Sequence, residues 1–130
     1  MPSLIERWRS WRDDTRRTRK AGELQRRGDE IYAAGQAREA IEVLKEAIAL
    51  VGTSDMPDPS KYGVKGSVLL LAEMTLAQAA DKTGDRALAL ESIRIARALL
   101  ALLRRNEHWN PDEKIVRWED WAKSYTDEPA

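Results

Sequence analysis

The chain has no cysteine, which excludes disulfides and thiolate metal sites. Histidine occurs once, at His108 beside Trp109 in an interhelical stretch. A lone loop imidazole is more often a solvated or capping group than a base. No apolar run approaches the roughly 18 residues of a membrane span, because Glu73 and Glu91 interrupt the richest segments. Nor does the N-terminus hold the apolar run of about 7–15 residues that marks a signal peptide, so the expectation is cytoplasmic residence. Glycine and proline are scarce, 7 and 5, and cluster at plausible breaks between elements. Net charge is absent too: Lys+Arg and Asp+Glu are equal at 22, so total charge names no polyanionic or polycationic partner.

What remains is an ordinary globular composition. With 130 residues, 42% of them hydrophobic and 34% charged, the chain is long enough for one domain with its own core. The charge is unevenly placed. Residues 1–27 carry nine basic and four acidic side chains, a net of +5, while residues 106–130 carry three and seven, a net of −4.

The most ordered pattern runs from Leu24 to Gly52, LQRRGDEIYAAGQAREAIEVLKEAIALVG. Small residues stand at Gly28, Gly35, Ala40 and Ala47, with larger apolar residues between them at Leu24, Ile31, Tyr32, Ile41, Leu44 and Ile48. Gly35 interrupts two helical periodicities, which predicts a helix from about 21 to 34, a turn at Gly35-Gln36, and a second helix from about 38 to 51. Small residues at these spacings let two antiparallel helices approach closely. The order and spacing of Leu24, Gly28, Ile31, Ala40, Leu44 and Ala47 resembles the tetratricopeptide repeat (TPR), a helical hairpin of about 34 residues. Departures are Arg27, where the family usually has leucine, and Gly52, where it often has proline.

A second copy of the pattern lies in VLLLAEMTLAQAADKTGDRALALESIRIARALL. Aligning Gly84 with Gly35 puts Ala77 on Gly28, Ala80 on Ile31, Ala89 on Ala40, Ile93 on Leu44 and Ala96 on Ala47. Asp85 is a suitable N-cap for the returning helix. The two glycines are 49 residues apart, so about 15 residues exceed the repeat period, and these fall in the Gly-, Pro- and Asp-containing connection 52–66. The helix from about 86 to 105 carries apolar residues around most of its circumference, which predicts burial on more than one side. The covering element expected is a C-terminal helix over 111–125, opened by Asn110-Pro111 and carrying Ile115, Trp118, Ala122 and Tyr125 on one stripe with Trp121 beside it.

Residues 3–20 predict an N-terminal helix with Ser3 as N-cap. Leu4, Trp8, Trp11, Thr15 and Thr18 follow one another at alternating four- and three-residue spacing, which places them on one face. Six arginines surround them: Arg7, Arg9, Arg12, Arg16, Arg17 and Arg19. Three readings stay open for this segment: a capping helix whose Trp pair covers the open end of the first hairpin, a docking surface for another protein, or an anionic-membrane or nucleic-acid patch. Whether it bends near Gly22 or runs on into the first repeat is left open.

The resemblance implies an all-α fold: a short TPR-like right-handed α-solenoid of two helix-turn-helix repeats (21–51 and 67–105) flanked by N- and C-terminal helices, in one domain. Catalysis finds no support. There is no G-x-S-x-G, H-E-x-x-H or P-loop, and the paired acids Asp13/Asp14, Asp112/Glu113 and Glu119/Asp120 are sequence neighbours that point about 100° apart on a helix. The glycines and lysines of Lys61–Ser67 could cradle an anion at a helix start, a weak signal beside the reading as a plain connection. The expectation is a non-enzymatic adaptor or scaffold with no cofactor, no metal and a protein or peptide partner. TPR grooves are lined by the first helix of each hairpin, which implies groove positions at Gln25, Asp29, Tyr32, Met74, Gln78 and Lys82. The clamp that grips a peptide carboxylate in one TPR subclass uses Lys, Arg and Asn at the positions of Gln25, Asp29, Met74 and Gln78, and none of these is cationic. Partner contacts are therefore expected at the terminal helices, through Trp8, Trp11, Arg12, Trp118 and Trp121. Self-association is a variant, with the basic end of one copy meeting the acidic end of another. Binding of nucleic acid or an anionic membrane through the Arg/Trp helix is the alternative.

Overall fold

The computed structural model describes residues 3–51, 64–105 and 107–127. Among them are five helices and no strand: α1 (Leu4–Ala33), α2 (Ala37–Val51), α3 (Val64–Lys82), α4 (Arg86–Leu103) and α5 (Glu113–Asp127). Residues 52–63 lie outside the described set. So does the Lys61–Gly63 part of the glycine- and lysine-bearing segment, while Gly66 and Ser67 already belong to α3.

The predicted N-terminal helix and the first helix of the hairpin are one 30-residue helix. Ser3 opens it with a capping box: its hydroxyl accepts from Glu6 N at 3.1 Å, and Glu6 Oε2 accepts from Ser3 N at 3.1 Å. Gly22 does not break it, since the residues on either side keep the helical hydrogen-bond ladder. At its far end Gly35 takes φ +86°, a backbone region closed to most side chains. Gln36 N donates to Ile31 O and Gly35 N to Tyr32 O, the paired bonds of a Schellman turn. The second hairpin closes in the same way, with Gly84 at φ +81°, Asp85 N donating to Ala80 O and Gly84 N to Asp81 O. Asp85 then caps α4, accepting from Leu88 N at 3.1 Å.

The small residues sit where the helices touch. A Cβ on Gly28 would lie 2.6 Å from Leu44 Cδ2, so α1 and α2 approach more closely than alanine allows. Ala40, Ile41 and Leu44 of α2 form one apolar cluster with Ala72, Leu76 and Ala79 of α3, and Ile31, Tyr32 and Leu88 pack against it. A larger cluster joins Ala21 of α1 and Val51 of α2 to α3, α4 and α5. In helix-to-helix terms α1 packs on α2, α2 on α3, α3 on α4, and α1 also on α3.

Two expectations need correction. The helix buried nearly all round is α3 rather than α4, with nearly every position from Val68 to Ala80 inaccessible. α4 buries one stripe, including Ala89, Ile93, Ala96 and Leu100, and leaves Leu90, Glu91, Arg94 and Arg97 outside. Apolar content alone could not separate the two, because α3 has α1, α2, α4 and α5 around it and α4 does not. The C-terminal helix also starts two residues later than expected. Asp112, not Asn110, accepts the free amide of Ile115 at 2.9 Å.

α5 closes the open side of α3 and α4. Ile115, Trp118 and Ala122 enter the larger cluster. The indole Nε1 of Trp118 donates to the carbonyl of Met74 at 2.9 Å, inside the core. Arg104, just past the end of α4, grips Glu119 with both terminal guanidinium nitrogens.

Candidate interaction surface

Among the described residues, the Trp8–Trp11 pair covers no part of the hairpins. Leu4 is 82% exposed, Trp8 55% and Trp11 64%, and the first buried residue of α1 is Ala21. The N-terminal half of α1 thus carries its aromatic face in solvent. Arg12 lies over the Trp8 ring, 4.8 Å from its centroid, a cation–π contact that partly shields both. Its Nε is also 4.0 Å from Asp13.

The C-terminal aromatics are placed differently. Trp118 is 3% exposed and belongs to the core. Trp121 is half-buried, 6.2 Å from Trp118 and 5.3 Å from Tyr125 between ring centroids. Arg86 at the start of α4 reaches over Tyr125 at 5.0 Å. This row holds α5 to the body, and only its outer edge is open to a partner.

The six groove positions divide into two groups. Gln25 is buried and its Nε2 donates to Asp29 Oδ2, which also stands 4.0 Å from Lys114 Nζ of α5. Met74 and Gln78 line a cleft of about 370 Å³ with Thr75 and the α5 residues Glu113, Lys114, Arg117 and Trp118, in which Arg117 is paired with Glu113. Gln25, Asp29, Met74 and Gln78 are therefore neighbours on one side of the molecule. Tyr32 and Lys82 are elsewhere, lining a smaller cavity of about 290 Å³ at the Gly35 turn. Burial, and then the nearby charge of Asp81, push the Tyr32 hydroxyl above its ordinary value.

Sequence reasoning missed the cations of this cleft. The four clamp positions counted from the two hairpins hold no Lys or Arg, and Lys82 lies elsewhere, whereas Lys114 and Arg117 come from α5. They flank the Ile115–Trp118 stripe, so once α5 is recognised as the element closing α3 their position follows. A second cavity of about 550 Å³, also missed, lies between the middle of α1 and the start of α3. Asp14, Thr15, Thr18, Arg19, Gly22, Gln25 and Arg26 line it, with Val68 opposite.

One buried group has no counterpart in these surfaces. Glu73, in the middle of α3, is 3% exposed, and its Oε2 has no hydrogen-bond partner among the described residues. Burial pushes its carboxyl from 4.5 up to about 7. The Ser92 hydroxyl and Arg94 pull the other way, and Glu91 adds to the rise. His108 is exposed beside Glu107, at 3.5 Å. No helix among the described residues is long and apolar enough to cross a membrane. Compared with protein-family models, curated proteins and solved structures, the chain matches none.

Proposed function

We propose that this chain is a short TPR-like right-handed α-solenoid acting as a non-enzymatic adaptor or scaffold subunit in the cytoplasm, where it binds a protein or peptide. The repeat reading is supported by two hairpins closed through the same glycine turn, with small residues at matching contacts. It is supported too by α3 packing on both α1 and α2, as successive repeats of a solenoid do. The observation that carries a binding function is the Trp8–Trp11 face. Two indoles, Leu4 and Ile5 side by side in water form an apolar patch of the kind that marks interaction sites.

The test uses the full chain and its Trp8→Ala/Trp11→Ala variant as baits in native extract, read by mass spectrometry. A protein captured by the wild type and lost with the variant, at unchanged helicity and melting temperature, supports the proposal. Identical captures by both would sink it. The exposed arginines of the same segment favour a second reading, binding to nucleic acid or an anionic membrane. Absence of any mobility shift or vesicle co-sedimentation at low salt removes that reading.

A further inference from the structure

The Trp8–Trp11 face is the start of a longer surface. Trp8, Thr15, Gly22 and Asp29 are seven residues apart in sequence, as are Leu4, Trp11, Thr18 and Gln25. Seven residues are close to two turns of helix, so both rows stay on one side of α1 throughout its length. That side is the one opening onto the larger cavity, since Thr15, Thr18 and Gly22 line it. The aromatic end and the cavity therefore form one continuous seam.

A third row borders the seam. Arg12, Arg19 and Arg26 are again seven apart, each four residues beyond Trp8, Thr15 and Gly22. Arg19 and Arg26 are exposed and line the cavity; Arg12 stacks on Trp8. The acids Glu6 and Asp13 are two residues from Trp8 and Trp11 respectively, about 200° round the helix, on the far face. Asp14 lies on the opposite edge, seven residues after Arg7, and also lines the cavity, so the basic border is on the Arg12–Arg19–Arg26 side alone. Asp29 ends the basic run; its Oδ2 accepts from Gln25 and lies 4.0 Å from Lys114 Nζ.

We infer that this seam receives an acidic amphipathic helix of another protein, packed lengthwise on α1 in the manner of a coiled-coil strand. The partner's apolar residues would cover Trp8 and Trp11, its small residues would enter the cavity at Gly22, and its Asp or Glu residues at seven-residue intervals would meet Arg12, Arg19 and Arg26. Cations repeated at one edge of a heptad seam select acidic partners and set their register. From Trp8 to Arg26 the seam is about 27 Å long, or five helical turns. A second copy of α1 fits poorly, because it brings a second arginine row to the same seam. A flat membrane would meet the Trp residues but could not follow the seam into the cavity.

The inference rests on the interaction-module reading, and its test separates the two. A displayed library of random peptides of about 25 residues is selected on the full chain. The expected winners carry apolar residues at alternating three- and four-residue spacing and acids at seven-residue spacing. Trp8→Ala/Trp11→Ala weakens them at least about tenfold. Arg12→Glu/Arg19→Glu/Arg26→Glu does the same, and exchanging the peptide's acids for lysines restores binding to that variant. Circular dichroism confirms that both variants keep their helix content.

Winners that are not acidic, or that bind the tryptophan variant equally well, overturn the inference and leave the adaptor function standing. No enrichment at all overturns both. Binding to phosphatidylserine vesicles without peptide enrichment, or a sedimenting dimer abolished by the tryptophan substitutions, also overturns it and identifies the membrane or the second copy as the occupant.

Discussion

Glu73 should make the stability of this protein depend on pH near neutrality. Its carboxyl is held in the core between α3 and α4, and burial raises it from 4.5 to about 7. The folded protein therefore keeps a proton that the unfolded chain releases above about pH 4.5. The stability this proton confers is fully present below about 4.5 and is lost as pH rises through about 7. At about 1.36 kcal/mol per pH unit the full loss is about 3 kcal/mol, of which about 2.5 kcal/mol falls between pH 5 and pH 8. Glu73→Gln keeps the shape and removes the titration. Urea unfolding of both proteins at pH 5 and pH 8 isolates the effect, because the other titrating groups cancel in the double difference. The expected outcome is a wild type that loses about 2.5 kcal/mol more than the variant across this interval. A double difference below about 0.5 kcal/mol would refute the claim that burial dominates over Ser92 and Arg94 at this carboxyl.

Three further outcomes follow from the packing. Gly28→Ala forces a methyl group against Leu44 and should cost about 1–3 kcal/mol in denaturant unfolding, against little for Gly22→Ala, whose new Cβ meets Val68 at an ordinary 3.5 Å. Trp118→Phe removes the donor to the Met74 carbonyl and leaves a void, so a loss of about 2–4 kcal/mol is expected in the same assay, with near-ultraviolet dichroism reporting the loosened α5. Trp8→Ala/Trp11→Ala should change melting free energy by less than about 0.5 kcal/mol, because both rings are more than half exposed among the described residues; a larger loss would mean that the pair supports the fold.

The two hairpins could be read from the chain because their information is local. Gly35 and Gly84 stand where a left-handed residue must follow a helix, and Ser3 and Asp85 stand where free amides need a side-chain acceptor. Periodicity marked the inner faces of α2 and α5. These are properties of a few neighbouring residues, and no distant contact has to be known to see them.

What depended on the assembled molecule is which face meets what. Trp8 and Trp118 are the same residue type on amphipathic helices of similar pattern, yet one lies in water and the other in the core. The difference is that α3 and α4 pass beneath α5, whereas nothing among the described residues passes beneath the first turns of α1. The same holds for charge. Lys114 and Asp29 are far apart in sequence and become neighbours only because α5 folds back across α3, which is how cations reach a cleft whose hairpin positions carry none. Local backbone and capping requirements are written in adjacent residues. Exposure, the raised carboxyl of Glu73 and the composition of the cleft are set by non-local packing, and only the tertiary arrangement decides them.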